Sequence, residues 1–194
     1  NPILQYCIGA DPSEGVGRDF SAAVVRSARD RWLAASLKAQ LPPDEFSYEL
    51  EKVGRFFNFA RILCEREGPG HAVNLDLFKR YGNLYFETPT DKADAIQTKR
   101  FGFSTNPRTR PIILAQMSEE IRTVAVQLKD LRLIEECRTF VVKDNGKAQA
   151  DEGYNDDLVM AWAICGFGLQ SMPRVIHKRR PQYELQRPSR TSLV

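Results

Sequence analysis

The chain has 194 residues, of which 42% are hydrophobic, and a formal net charge of +3. This length and composition can bury one core, which excludes a chain that is disordered throughout. The mild positive charge does not by itself identify a nucleic-acid-binding protein, because local clusters of opposite charge cancel in the sum.

The cysteine pattern and the hydropathy argue against zinc-binding, disulfide-rich and membrane-spanning proteins. Four cysteines stand among apolar neighbours without Cys-x-x-Cys spacing: Cys7, Cys64, Cys137 and Cys165. This pattern argues against a zinc site or a disulfide framework and is typical of reduced core residues. No apolar run approaches the roughly 20 residues needed to cross a bilayer, and the start shows no signal-peptide pattern. We expect a soluble protein of a reducing compartment and, since the chain opens on Asn1 rather than methionine, a piece of a longer polypeptide.

The first third of the chain predicts three strands and a helix. Residues 3–10 and 20–25 are apolar runs joined by a glycine-rich turn, which predicts a β-hairpin with Asp11 at its mouth. Residues 31–39 fit a third strand. The prolines that follow predict a break, with Asp44 as the cap of a helix over residues 45–57.

The middle third predicts a strand, a helix and a further strand, as in a βαβ unit. Residues 60–64 form a short apolar run before Gly68-Pro69-Gly70, which predicts a buried strand, a turn and a helix over residues 71–81. Residues 84–86 fit another short strand. Residues 88–107 are polar and contain prolines, which predicts a long loop, and long loops in compact domains are often functional.

The last third predicts two helices separated by a hairpin. Residues 112–131 carry apolar residues at helical spacing, and residues 139–142 with the turn at 144–147 indicate an edge hairpin. The final helix is predicted over residues 155–169. We expect one domain over residues 1–173 and a basic, flexible tail over residues 174–194.

Acidic residues recur where these elements begin or end. They are Asp11, Glu65, Asp156 and Asp157. Phosphodiester hydrolysis by two metal ions needs carboxylates that hold the ions roughly 4 Å apart, and converging acids supply them. Asp11 alone could simply end its strand, but Asp19 returns at the start of the next strand and can lie across the hairpin from it.

Two choices among these acids stay open on the residues alone. Strand alternation puts Glu65 and Glu67 on the same side, so periodicity cannot choose between them. Asp156 and Asp157 follow Asn155, a good helix cap, and acids in a first turn commonly just complement the helix dipole. The next eight residues are apolar nearly all round, so these acids lie near a buried layer, where a cation would relieve an otherwise costly carboxylate. Because adjacent helical residues point about 100° apart, we expect only one of the pair to contact a metal directly.

Taken together, these motifs resemble the nuclease domain of the large terminase subunit, the DNA-packaging motor of tailed bacteriophages. The resemblance spans roughly residues 8–168. The segment 153–159, Gly-Tyr-Asn-Asp-Asp-Leu-Val, is similar to the family's Gly-x-His-Asp-Asp-Leu-Val motif, with Asn155 where many members have histidine. Asp11-Pro12-Ser13-Glu14-Gly15 with Asp19 resembles the first motif. Glu65-Arg66-Glu67-Gly68-Pro69-Gly70 resembles the middle Glu-x-Asn-x-x-Gly motif, with Glu67 where asparagine is usual.

This resemblance implies an α/β, ribonuclease H-like fold with a mixed central β-sheet flanked by helices. It implies an endonuclease that cuts concatemeric viral DNA during genome packaging, in the cytoplasm of the infected host cell, by two-metal-ion hydrolysis. The implied ligands of two Mg²⁺ or Mn²⁺ ions are Asp11, Glu65 and one or both of Asp156 and Asp157, with Asp19 auxiliary. Direct activation by the metal would replace a histidine base.

The resemblance also implies partners, namely double-stranded DNA, the portal and other packaging-motor subunits. An ATPase domain is expected on the same full-length polypeptide. A phosphate loop would read Gly-x-x-x-x-Gly-Lys-Ser/Thr, whereas Gly146-Lys147 is followed by Ala148. The chain itself should therefore cut DNA without hydrolysing ATP.

Basic residues near the predicted turn and long loop are expected to contact DNA phosphates. They are Arg18, Lys99, Arg100, Arg108 and Arg110. The alternative is a solvated loop anchored by buried phenylalanines. The sequence leaves two other functions open: a junction resolvase or transposase-like nuclease of the same fold, and a non-catalytic DNA-binding or motor-docking module whose acids are caps and ion pairs. Neither histidine, His71 or His177, is assigned a catalytic role.

Overall fold

The computed structural model of the protein describes residues 4–17, 19–87, 100–144 and 146–172. Two of the predicted DNA contacts, Arg18 and Lys99, lie outside these ranges. So do His177 and the predicted tail over residues 174–194, together with most of the predicted long loop.

A four-stranded mixed sheet, in the order β3-β2-β1-β4, forms the centre of the fold. β1 (Tyr6–Asp11), β2 (Ser21–Ser27) and β3 (Leu33–Ala39) pair antiparallel, which confirms the predicted hairpin and third strand. β4 (Arg61–Cys64) pairs parallel to β1, as expected for a crossover connection. The expected α/β class with a mixed sheet is confirmed.

One irregularity interrupts the pairing of β2 with β3. Val25 pairs with Ala35, whereas the next residue, Arg26, pairs with Leu33, so Ala34 has no partner in the ladder. An extra residue of this kind is a β-bulge, which bends the strand locally. The bulge lies toward the turn between the strands, away from the end of β2 that meets Asp11.

Helix α1 (Pro43–Phe56) fills the crossover between β3 and β4. The prediction that Asp44 caps this helix is wrong. The cap position is Pro42, and the fixed φ of Pro43 suits the first helical turn, where a missing N–H costs nothing. Asp44 lies within that turn, where its negative charge complements the helix dipole.

After β4 the chain forms helix α2 (Gly70–Arg80) and a short antiparallel pair, β5 (Phe86–Glu87) with β6 (Arg100–Phe101). The strand predicted over residues 84–86 begins as a single bridge from Leu84 to Ile62. Residues 100–101, predicted as loop, are therefore paired, and Phe103 behind them is buried.

The single helix predicted over residues 112–131 is wrong, because the structure has two. Helix α3 (Thr109–Arg122) ends before Val124, which has a left-handed φ of 53°, and helix α4 (Leu131–Arg138) starts afresh. The Asp130 carboxylate accepts the Arg132 backbone N–H at 2.9 Å and so caps α4. A cap satisfies a free N–H that a continuous helix would not leave, and apolar spacing alone cannot reveal it.

The last elements are the predicted hairpin and the final helix. β7 (Phe140–Val142) and β8 (Ala148–Ala150) pair as a separate two-stranded sheet. Helix α5 (Asp157–Gln170) begins two residues later than predicted, with Asp156 rather than Asn155 at the cap position. Of the helices in the described ranges, none is long and apolar enough to cross a membrane.

The two faces of the central sheet are covered by different helices. α5 packs on one face in a cluster that includes Cys7, Leu63 and Trp162. The α1 and α2 pair covers the other face, in a cluster that includes Ile8 and Phe46. Consecutive residues of β1 thus enter opposite cores, as strand alternation requires. The four cysteines are free thiols, and all but Cys137 are buried, as predicted.

Gly9 allows α5 to pack directly on the β1 backbone. A Cβ at this position would overlap the carbonyl oxygen of Ala161 and the amide nitrogen of Cys165. We expect Gly9→Ala to lower the free energy of unfolding by about 1–3 kcal/mol or more, because the helix must move away from the strand. Chemical denaturation measures this loss. Gly82→Ala is the matched control, since a Cβ there meets only Phe59 at 3.7 Å, and an equal loss in both variants would contradict the close approach at Gly9.

Candidate metal centre

The strand register places an acid and a base in one row across the sheet. Asp11, the last residue of β1, pairs with Ala22 on β2, and Ala22 in turn pairs with Lys38 on β3. Residues directly opposite one another point to the same face of a sheet. Because the fully buried residue between them is only an alanine, the side chains of Asp11 and Lys38 have room above it.

Glu65 stands beside Asp11 at the end of the neighbouring strand. The Glu65 backbone N–H donates to the Ala10 carbonyl at 2.8 Å, and the Glu65 backbone carbonyl accepts a hydrogen bond from the Asn74 side-chain amide at 3.0 Å. A Cβ at Gly70 would overlap that same carbonyl, so this glycine lets α2 start directly against Glu65. Because Ala10 pairs with Cys64 in the parallel ladder of β1 and β4, the next residues, Asp11 and Glu65, stand side by side at the ends of these strands.

Glu67, the other acid of this segment, is directed elsewhere. Its side chain is 59% exposed, and its carboxylate accepts a hydrogen bond from the Ser104 hydroxyl at 2.9 Å. Of the two acids that periodicity cannot distinguish, the structure therefore brings Glu65 to Asp11.

The acids at the start of α5 complete the cluster. Burial raises the pKa of Asp11 well above its usual value, and the hydrogen bond and charge of Glu65 raise it further. The negative charges of Asp157 and, more weakly, Asp156 act in the same direction. Asp11 and Glu65 follow paired positions on neighbouring strands, and Lys38, in the same row as Asp11, contacts Asp157, so these acids lie around one edge of the sheet.

Both acids of α5 are paired with basic side chains. Lys38 Nζ lies 3.0 Å from the Asp157 carboxylate and 2.5 Å from that of Glu136, and Arg110 Nη2 lies 3.1 Å from the Asp156 carboxylate. Burial raises the pKa of Asp157, and the Lys38 charge opposes that rise. Within the described ranges, no three His, Cys, Asp or Glu side chains converge closely enough to hold a metal ion as they stand.

Glu136 ties this cluster to the helix that carries it. One of its carboxylate oxygens accepts the backbone N–H groups of Leu158 and Val159 at 2.7 and 3.1 Å, and the other contacts Lys38. Glu136 thus satisfies the free N–H groups at the start of α5 in the way a helix cap would. Lys38 and Glu136 were both missed by the sequence analysis. The register of β3 and the contact of α4 with α5 bring them here, and neither leaves a local sequence signal.

The predicted position of Asp19 opposite Asp11 is wrong. The partner of Asp11 is Ala22, and the ladder of β2 begins only at Ser21. Asp19 is exposed in the turn, where its backbone N–H donates to the Val16 carbonyl at 3.1 Å. The turn is instead tied by the Ser21 hydroxyl, which accepts the Ser13 N–H at 3.0 Å.

The predicted DNA contacts in the described ranges lie at different depths. Arg100 on β6 and Arg108 at the cap position of α3 are exposed. Arg110, in the first turn of α3, is half-buried and engaged with Asp156. Arg110 therefore joins the acidic cluster as well as the surface beside it.

The sequence matches no protein-family model and no curated protein. Solved structures do match. The large terminase nuclease of thermophilic phage G20c with bound magnesium is 17% identical, with a TM-score of 0.67 over 86% of this chain and 82% of that chain. The large terminase nuclease domain of Thermus phage P74-26 is 16% identical, with a TM-score of 0.60 over 85% and 80%. The manganese-soaked human cytomegalovirus terminase nuclease domain is 8% identical, with a TM-score of 0.55 over 87% and 85%. The chain thus shares its fold with terminase nuclease domains, in agreement with the resemblance seen in its motifs.

Proposed function

We propose that the protein is a divalent-metal-dependent DNA endonuclease of ribonuclease H-like fold that cuts concatemeric viral DNA during genome packaging. The observation that carries this proposal is that Asp11 and Glu65 stand side by side at the ends of β1 and β4, while Lys38, in the same row as Asp11, contacts Asp157 at the start of α5. The structures that share the fold are terminase nucleases, some of them with bound divalent metals, which supports it further.

The donor set fits hard divalent cations. Carboxylate oxygens are the ligands that Mg²⁺ and Mn²⁺ prefer, and the site offers them without a cysteine or histidine. We propose that Asp11, Glu65 and either Asp156 or Asp157 would hold two such ions. Two ions bound here would activate a water molecule and stabilise the leaving oxygen of the phosphodiester.

The chain's own residues have separate tasks in this reaction. Asp11 and Glu65 stand at the ends of paired strands, so the sheet holds their backbones in place. Lys38 holds the Asp157 carboxylate toward the cluster. Arg100 and Arg108, and by sequence Arg18 and Lys99, would contact DNA phosphates in a sequence-independent way. The portal and an ATPase domain on the same polypeptide are the partners that we propose.

A non-catalytic DNA-binding or motor-docking module is the second candidate. The ion pairs of Arg110 with Asp156 and of Lys38 with Asp157 favour it, because they satisfy two of the acids without a metal. A junction resolvase of the same fold would use the same acids. It differs from the leading proposal in preferring four-way junctions over linear duplex.

Plasmid cleavage by the purified chain tests the proposal. We expect supercoiled plasmid to be cut with Mg²⁺ or Mn²⁺, not to be cut with EDTA, and to be cut at least about a hundredfold more slowly by Glu65→Gln, since a ligand is worth several kcal/mol to the reaction. Glu67→Gln is the matched control and should cut like the unaltered chain. DNA retention without any metal-dependent cleavage would favour the docking module, and a strong preference for four-way junctions would favour the resolvase.

A further inference from the structure

Two basic side chains contact the acids of α5, and they are held with different firmness. Lys38 is 13% exposed and contacts two carboxylates, those of Glu136 and Asp157. Arg110 is 23% exposed and contacts one carboxylate, that of Asp156, through a single nitrogen. Lys38 is thus held by two ion pairs, whereas Arg110 can leave at the cost of one ion pair and one hydrogen bond to the Ala148 carbonyl.

Arg110 also uses only part of its hydrogen-bonding capacity. Its Nη2 donates to both the Asp156 carboxylate and the Ala148 carbonyl, each at 3.1 Å. Its Nε is buried and has no hydrogen-bond partner among the described residues. A guanidinium offers a planar fork that suits a phosphate with two parallel bonds, and its present partners do not use that fork.

Arg110 and a metal ion would compete for the same carboxylate, that of Asp156. The Arg110 guanidinium, 3.1 Å from the Asp156 carboxylate, neutralises the negative charge that would otherwise attract a metal, and Asp156 directly precedes Asp157 at the start of α5. Two cations of the same site repel each other, so one must weaken the binding of the other. A DNA phosphate is an alternative anion for Arg110. The exposed Arg108, which we also expect to contact DNA, lies two residues earlier in the chain.

Resting on the function proposed above, we propose that Arg110 exchanges between Asp156 and a DNA phosphate. Without DNA it holds Asp156 and opposes metal binding. When DNA binds, it moves to the phosphate and releases the carboxylate to the metal. Because such coupling is reciprocal, metal also strengthens DNA binding, and the site loads fully only on its substrate.

Metal titration by calorimetry tests this exchange. Mn²⁺ is titrated into the full chain with and without a short phosphorothioate duplex, which keeps the phosphate charge and slows cleavage, and heats from duplex alone are subtracted. Without DNA, we expect Arg110→Gln to bind Mn²⁺ at least about fivefold more tightly than the unaltered chain, the lower end of typical coupling between sites. With DNA, the two proteins should bind Mn²⁺ alike. Unchanged or weaker binding by Arg110→Gln without DNA overturns the exchange.

Two variants separate this result from a general charge effect. Arg108→Gln removes a neighbouring exposed charge and should weaken DNA binding without changing the Mn²⁺ affinity of the free chain. Arg110→Lys keeps the positive charge and should return the Mn²⁺ affinity toward that of the unaltered chain. If Arg108→Gln tightens Mn²⁺ binding as much as Arg110→Gln does, net charge alone explains the effect and the exchange is lost.

DNA affinity in EDTA gives a second test that does not alter Arg110. Asp156→Asn frees Arg110 and should bind duplex at least about fivefold more tightly, whereas Asp157→Asn removes the same charge without freeing Arg110 and should change DNA affinity less. Equal changes in both variants overturn the exchange. If the unaltered chain binds no Mn²⁺ under any condition, the proposed function itself fails. If Mn²⁺ binds and depends on Asp11, but not on Arg110, the exchange alone fails.

Discussion

Asp11→Asn is expected to abolish metal-dependent DNA cleavage and, at the same time, to raise the Tm of the metal-free protein. Burial raises the pKa of Asp11 most, and the negative charges of Glu65, Asp157 and Asp156 add to that rise. An amide is a far weaker metal ligand than a carboxylate. We expect cleavage to fall roughly a thousandfold or more, equivalent to about 4 kcal/mol of lost transition-state stabilisation.

The gain in stability follows from the raised pKa of Asp11. An aspartate in the unfolded chain loses its proton near pH 3.9, whereas folded Asp11 keeps its proton to a higher pH. Between these two pKa values the folded state binds more protons, so the free energy of unfolding falls as pH rises. Above both values the full penalty remains, and Asp11→Asn removes it because asparagine carries no charge.

Thermal unfolding in EDTA across pH 4 to 8 measures this effect. The unaltered chain should lose stability as pH rises above the usual aspartate pKa, and Asp11→Asn should show a flatter profile with a higher Tm at neutral pH. Glu14→Gln is the control, because Glu14 is exposed in the turn that follows β1, and its profile should match that of the unaltered chain. An Asp11→Asn protein that cuts normally, or that is destabilised at neutral pH, would contradict this account of the cluster.

Glu136→Ala is expected to cause the largest loss of stability among single substitutions in the site. Glu136 is 7% exposed, and its removal leaves the N–H groups of Leu158 and Val159 without their acceptor. It also takes from Lys38 the nearer of its two carboxylate partners. Removing one partner of a buried ion pair costs about 3–5 kcal/mol.

Chemical and thermal denaturation report this loss, which corresponds to a fall in Tm on the order of 10 °C for a protein of this size. Glu135→Ala is the matched control, because Glu135 neighbours Glu136 on α4 with a side chain that is 62% exposed. Its effect should be close to zero. If the two variants unfold alike, Glu136 does not anchor α5, and the position of Asp157 must depend on packing alone.

Those parts of the fold that depend on local pattern could be predicted from the sequence. The three antiparallel strands, β4 and α5 follow from apolar runs of the right length and period. The break between α3 and α4 could not be found, since apolar spacing continues through it while Asp130 starts a new helix. The cap of α1 was assigned to Asp44, although the neighbouring prolines already favour a helix start at Pro43.

Some residues of the candidate site could likewise be predicted from the sequence, and others could not. Asp11, Glu65, Asp156 and Asp157 stand at the ends of elements, so their convergence could be expected from the order of strands and helices. Asp19 was predicted opposite Asp11, but the glycine-rich turn does not specify where β2 begins to pair with β1. The pairing of β2 starts only at Ser21. The bases that hold the acids, Lys38 and Arg110, depend on side-chain contacts between elements distant in sequence, so Lys38 was missed and Arg110 was predicted only as a DNA contact.

The bulge between β2 and β3 makes the tolerance of this hairpin to changes in length asymmetric. A single inserted residue on the turn side of Ala34 can be absorbed where the ladder is already irregular, which leaves the pairing of Ala22 with Lys38 intact. An insertion between Ala35 and Lys38 has no such outlet, and a slip of one residue turns every following side chain to the other face. It would carry the lysine away from Asp157 while leaving the sheet itself formed. Related chains should therefore vary in length on one side of this bulge and keep strict spacing on the other.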